Sequence, residues 1–103
     1  MKVLKDLQFN SRKFSGGIGA TMRFDNGFEI SVQAGSFNYS TPREDKDSPD
    51  DFASFEVAVY GPPNGDFVTK DFVPNHEDDV LGWQDRGQIN ALMLLIQNHK
   101  YNG

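Results

Sequence analysis

The stretch "MRFDNGFEISV", residues 22–32, permits very few local structures. Upstream of its centre, residues 18–24 alternate, with Ile18, Ala20, Met22 and Phe24 on one side and Gly19, Thr21 and Arg23 on the other. Downstream, Phe28, Ile30, Val32 and Ala34 alternate with Glu29, Ser31 and Gln33. A period of two is the spacing of half-buried strands. Only Asp25-Asn26-Gly27 separates the two runs, and a connection this short makes a hairpin. The expected loop is a type I turn closing on a left-handed residue, where Gly27 has no Cβ to clash. This register sets Phe24 opposite Phe28 and Met22 opposite Ile30. The result is one continuous apolar face, which must be covered.

The rest of the chain supplies the cover. Residues 54–60 read as a third strand, with Phe55, Val57 and Val59 inward, and "GPPNGD" reads as a turn. A fourth strand is expected at 67–73, returning antiparallel along an edge. Residues 85–100 carry helical spacing in Ile89, Leu92, Met93 and Ile96, widened by Leu95. Asp85 followed by Gln88 is a capping-box pattern at its start, and Lys100 suits the negative end of the helix dipole. The expected fold is α+β: an antiparallel sheet of about four strands with one C-terminal helix packed on one face.

At 103 residues, with 37% hydrophobic residues and nine Phe, the chain is expected to form a single domain over 1–103 with an aromatic-rich core. The absence of cysteine removes disulfides and thiolate metal sites and fits a cytoplasmic location. No apolar run approaches the roughly 20 residues of a membrane span, and charges interrupt the N-terminal apolar stretch that a signal peptide would need. Two stretches lack periodicity. Residues 35–53 are polar and broken by Pro42 and Pro49, with a flexible acidic loop expected at 38–51. Residues 74–84 read as an acidic connector to the helix.

Charge is unevenly placed. Residues 1–34 hold five basic and three acidic side chains, whereas residues 35–103 hold five basic and twelve acidic, a net of −7. That balance disfavours nucleic acid as a partner of the whole chain and favours a protein with a basic surface. The one opening for single-stranded nucleic acid is a small patch of Arg12, Lys13 and Arg23 beside Phe9 and Phe14.

Catalytic, metal and cofactor signatures fail on spacing. Counted from Asp45, a calcium loop would need glycine sixth, where Asp50 stands, and its twelfth residue, Glu56, reads as strand. His76, Glu77, Asp78 and Asp79 are consecutive, so their side chains diverge, and His99 has no partner at a known spacing. "FSGGIG" at 14–19 lacks the Lys-Ser/Thr of a phosphate loop, and a strand follows it where a helix is required. No Gly-x-Ser-x-Gly elbow occurs. A non-enzymatic protein without a cofactor is expected.

Interaction residues are more legible. Glu44, Asp45, Asp47, Asp50 and Asp51, together with Glu77, Asp78 and Asp79, hold eight of the fifteen acids. Phe37, Tyr39 and Phe52 flank the first group and could anchor it in a pocket, with the charges steering the encounter. Trp83 reads as a staple or core residue at the start of the helix; exposed, it would be a binding hot spot.

"FDNGFEISV", "FEVAVY" and "DDVLGW" before a short helix resemble a family of small accessory proteins of tailed bacteriophages, over about half of the chain. The acidic stretch at 40–51 departs from the compact form of that pattern. The resemblance carries no catalytic residues with it. It implies an inhibitor of a host protein, such as a defence nuclease complex (anti-CRISPR-like), acting in the cytoplasm of the infected host. The acids would then partly mimic a phosphate backbone.

Overall fold

The computed structural model describes residues 1–12, 16–73 and 76–99. Its organising unit is the hairpin of β2 (Ile18–Arg23) and β3 (Glu29–Ala34), with Met22 facing Ile30 across the ladder. The turn closes as the sequence requires. Phe24 N–H donates to Phe28 O at 2.7 Å, Gly27 N–H donates to Phe24 O at 3.0 Å, and Gly27 sits at φ 91°. The side chain of Asn26 does a second job, donating to the carbonyls of Ile96 and His99 at 2.8 Å each. Ile96 lies in the last turn of the long helix, where its carbonyl also accepts from His99 N–H at 3.1 Å, and His99 stands just past the C-cap. The tip of the hairpin is thereby tied to the helix end.

β4 (Phe55–Gly61) pairs antiparallel with β3, and the short β1 (Asn10–Ser11) pairs with β2. The far edge of β4 is shared end to end by β5 (Asp66–Phe67) and β6 (Val80–Gln84). Among the described residues the sheet has six antiparallel strands, of which β1 and β5 are only two residues long, so the expected count of about four is roughly met; β3 and β4 form its centre, with β2 nearer one edge. A helix, α2 (Arg86–Gln97), covers one face. Ile30, Val32, Val57 and Val59 from the sheet and Ile89, Met93 and Ile96 from α2 are fully buried in one cluster. The capping box forms as read: Asp85 accepts from Gln88 N–H at 2.8 Å and Gln88 accepts from Asp85 N–H at 2.9 Å. Lys100 lies outside the described residues.

Two expectations give way for identifiable reasons. The strand expected at 67–73 ends after Phe67, and a helical turn, α1 (Thr69–Phe72), replaces it. Val68 N–H donates to Val59 O at 2.8 Å, and the Thr69 hydroxyl then accepts from Val59 N–H at 2.9 Å. That hydroxyl donates in turn to Asp79 O at 2.6 Å. A side chain thus satisfies the ladder groups that a longer strand would have used, and the turn swings Phe72 into the core. The second change is in the connector 74–84, whose last five residues form β6. Phe52 is also a core residue, 2% exposed and packed on Phe55. It cannot act as an exposed anchor.

Candidate interaction surface

Among the described residues, no helix lies over the second face of the sheet. Register identifies the side chains it presents. Inward Val57 and Val59 leave Glu56, Ala58 and Tyr60 outward on β4, and pairing sets Val80 beside Ala58 and Phe67 beside Tyr60. From β3 the same face receives Ser31 and Gln33, partners of Ala58 and Glu56. On β6, Leu81 packs toward the core, so Val80 and Gly82 face out.

Gly82 is where Tyr39 crosses the sheet. A Cβ on Gly82 would lie 2.8 Å from the Tyr39 Cβ, so only glycine admits this approach. Trp83 N–H donates to Tyr39 O at 2.9 Å, and the Trp83 ring lies against the Tyr39 ring at 5.0 Å. Arg43 adds a guanidinium 5.3 Å from the Tyr39 ring centroid. Trp83 stays 55% exposed and Tyr39 43% exposed, and Phe37, two residues before Tyr39 in the chain, is 78% exposed. Trp83 also has φ 52°, a left-handed backbone that a bulky residue adopts only against a penalty. It is therefore neither core nor a staple. At the other end of the face Tyr60 and Phe67 form a second aromatic pair, 4.8 Å apart.

A buried polar network sets the Tyr39 segment in place. Asn38, 5% exposed, donates to Glu56 Oε2 at 2.5 Å and accepts from Arg12. Arg12 also donates to Gln33 Oε1 at 2.7 Å. Ser40, 2% exposed, accepts from Gly35 N–H and donates to Pro42 O. Thr41 bridges to Ser54 in the lead into β4. These bonds give the surface loop a defined geometry, although the buried Nε of Arg12 has no hydrogen-bond partner among the described residues.

The acidic residues fall into two groups that the fold holds apart. Glu44, Asp45, Asp47, Asp50 and Asp51 lie at the Gln84 end of β6, whereas Glu77, Asp78 and Asp79 precede Val80 at its other end. The strand between them spans about 13 Å. Asp45 accepts from both the N–H and the hydroxyl of Ser36 at 2.9 Å. Those bonds, with a smaller contribution from the Arg12 charge, hold its carboxyl below the ordinary 3.8. Glu44 pairs with Lys46 at 3.5 Å and Asp79 with Lys70 at 3.7 Å. Asp47, Asp50, Asp51, Glu77 and Asp78 are exposed.

The basic patch does not assemble. Arg12 is engaged in the Asn38 network, and Arg23, paired with Glu29 at 3.8 Å, stands at the opposite end of β2, about 20 Å along the strand. Phe9 packs on Phe55 at 5.8 Å, and Lys13 and Phe14 lie outside the described residues. Among the described residues, no three His, Asp or Glu side chains are grouped to hold a metal ion, and His76 Nε2 is spent on Val80 O at 2.7 Å. No described helix is long and apolar enough to cross a membrane.

Sequence reasoning missed the aromatic face, although two signals carried it. An apolar "VLGW" inside an acidic connector is a strand signal. Tyr60, out of phase with Phe55, Val57 and Val59, is an aromatic on the polar side of a strand. Compared with known proteins, the chain matches no family model, no curated protein and no solved structure.

Proposed function

We propose that this is a non-enzymatic binding protein whose open sheet face docks another protein. The observation that carries the reading is Trp83: a bulky, exposed ring on a left-handed backbone, stacked on an exposed Tyr39. Strained geometry persists where function requires it, and Trp, Tyr and Arg are the residues that dominate binding energy. Tyr39, Trp83, Arg43 and Phe37 are the anchors. The two acidic groups flank this face at either end of β6 and steer a basic partner toward it, raising the on-rate more than the affinity. In the setting that the phage resemblance implies, the partner is a host protein, inhibited by occupation of a basic nucleic-acid-binding surface.

The test compares capture of bacterial lysate proteins by the immobilised wild type and by Tyr39→Ser/Trp83→Gly. A partner retained near stoichiometry by the wild type should fall at least tenfold with the variant, the effect of losing about 1.4 kcal/mol or more. No stoichiometric partner, or equal capture by both proteins, would contradict the reading.

A further inference from the structure

We propose that the notch between Tyr60, Phe67 and Glu56 on the open face receives an arginine side chain of the docked protein. This rests on the docking reading and names the chemistry recognised at one end of that face.

The notch has a volume of about 130 Å³ and is lined by Ser31, Gln33, Glu56, Ala58, Tyr60 and Phe67 among others. An apolar cavity of about 150 Å³ admits one benzene-sized group. The notch therefore suits the end of a single side chain and is too small for a metabolite. Its floor is made of small side chains: Ser31 is 4% exposed and Ala58 6% exposed, though no described helix covers them. Its wall is the Tyr60–Phe67 pair, with Phe67 46% exposed.

The rim is negative. Glu56 Oε2 accepts from Asn38 Nδ2, and among the described residues Glu56 has no cation within 4.0 Å. Glu29 lies on the same side, where it and Glu56 both act on the Tyr60 phenol. Burial first and those two charges second hold that phenol above its ordinary 10.0. A whole-chain charge of −5 adds to this field.

Four kinds of occupant can be compared. An anion is repelled. An apolar side chain would cover Glu56 without pairing it, which costs desolvation free energy. An ammonium pairs with the carboxylate but cannot lie flat on a ring. A guanidinium does both, since it is planar, weakly hydrated and donates in a fork to a carboxylate while stacking on an aromatic.

The test is an NMR titration of the full chain with N-acetyl-arginine amide, followed in amide shifts. The neutral citrulline analogue and the lysine and leucine amides are run alongside. The arginine amide should give saturable shifts confined to the notch residues and to Val80, with a dissociation constant on the order of millimolar. Citrulline should give none, and lysine and leucine should bind at least fivefold more weakly. Glu56→Gln, which keeps the acceptor for Asn38, and Phe67→Leu, which keeps apolar bulk without the ring, should each weaken arginine at least fivefold. Unchanged affinity in both variants, shifts scattered over the surface, or equal binding of citrulline or leucine would overturn the proposal. Equal binding of lysine would overturn the choice of guanidinium. Concentration-dependent shifts of the same residues without ligand would assign the notch to a second copy of the chain and overturn it too. The lysate experiment separates the two claims. Capture lost on Tyr39→Ser/Trp83→Gly but kept on Glu56→Gln leaves docking standing and removes the arginine notch. Arginine binding in the notch without any captured protein removes the docking reading and leaves a guanidinium site.

Discussion

The two faces of the sheet are built from the same strands and serve opposite ends. On the α2 side, Ile30, Val32, Val57 and Val59 are fully buried, and every large side chain meets another. On the open side β3 presents Glu29, Ser31 and Gln33, and β4 presents Glu56, Ala58 and Tyr60. Ser31 and Ala58 form a floor, and Tyr60, Phe67, Val80, Tyr39 and Trp83 stand around it, several of them half exposed. The covered face gains stability from burial at roughly 25 cal/mol per Å². The open face leaves part of that gain unused, and in Trp83 accepts a backbone penalty as well. The same face also carries the charges of Glu29 and Glu56 beside its aromatics.

The comparison can be broken most forcefully from the covered side. Ile30→Ala should cost about 2–5 kcal/mol, because a fully buried branched side chain leaves a cavity that its neighbours refill only partly. Leu92→Ala, at the less buried edge of the same contact, should fall at the low end of that range. A denaturant midpoint like that of the parent for Ile30→Ala would remove α2 from this face.

A smaller effect is expected where the open face admits no extra atom. Gly82→Ala places a Cβ within 2.8 Å of the Tyr39 Cβ, an atom close to the backbone that cannot swing aside. We expect a loss of about 1–3 kcal/mol, typical of overpacking, together with displaced resonances at Tyr39 and Trp83 and unshifted ones at Ile89. A variant as stable as the parent with the Tyr39 and Trp83 signals unmoved would mean that the two segments do not touch.

The covered face was legible in the sequence, and the open face largely was not. Alternation around Asp25-Asn26-Gly27 and the helical stripe of Ile89, Leu92, Met93 and Ile96 are repeated signals, and one burial pattern satisfies them all. The open face depends on single side chains acting across long separations. The Thr69 hydroxyl ends a ladder, Asn38 bridges Arg12 to Glu56, and Asn26 caps a helix from 70 residues away. Nothing periodic announces such contacts. The acids were legible as residues, but their separation to the two ends of β6 followed from that strand's register, which a five-residue segment does not reveal.

The next effect is one of pH. Because the Asp45 carboxyl is held below its ordinary 3.8 in the folded chain, its contribution is complete above that value. It is lost as pH falls through the lower folded value. The Ser36 amide resonance should therefore titrate with a midpoint below 3.8, and Asp45→Asn should flatten that response. A midpoint at or above 3.8 would mean that the loop is not held by these bonds.

The smallest stability effect bears on the central claim, that the exposed aromatics of the open face are kept for recognition. Trp83→Gly removes a left-handed penalty of about 1–2 kcal/mol. Against that it loses a ring contact of about 0.5–1.5 kcal/mol beyond area burial, chain stiffness worth about 0.4–1 kcal/mol, and the burial of the covered part of its ring. The balance is a modest net loss. Equilibrium unfolding in urea, followed by circular dichroism because Trp83 is the sole tryptophan, should give a free energy about 1–2 kcal/mol below the parent, less than Ile30→Ala costs. A loss as large as that of Ile30→Ala would make Trp83 a structural residue and contradict the account.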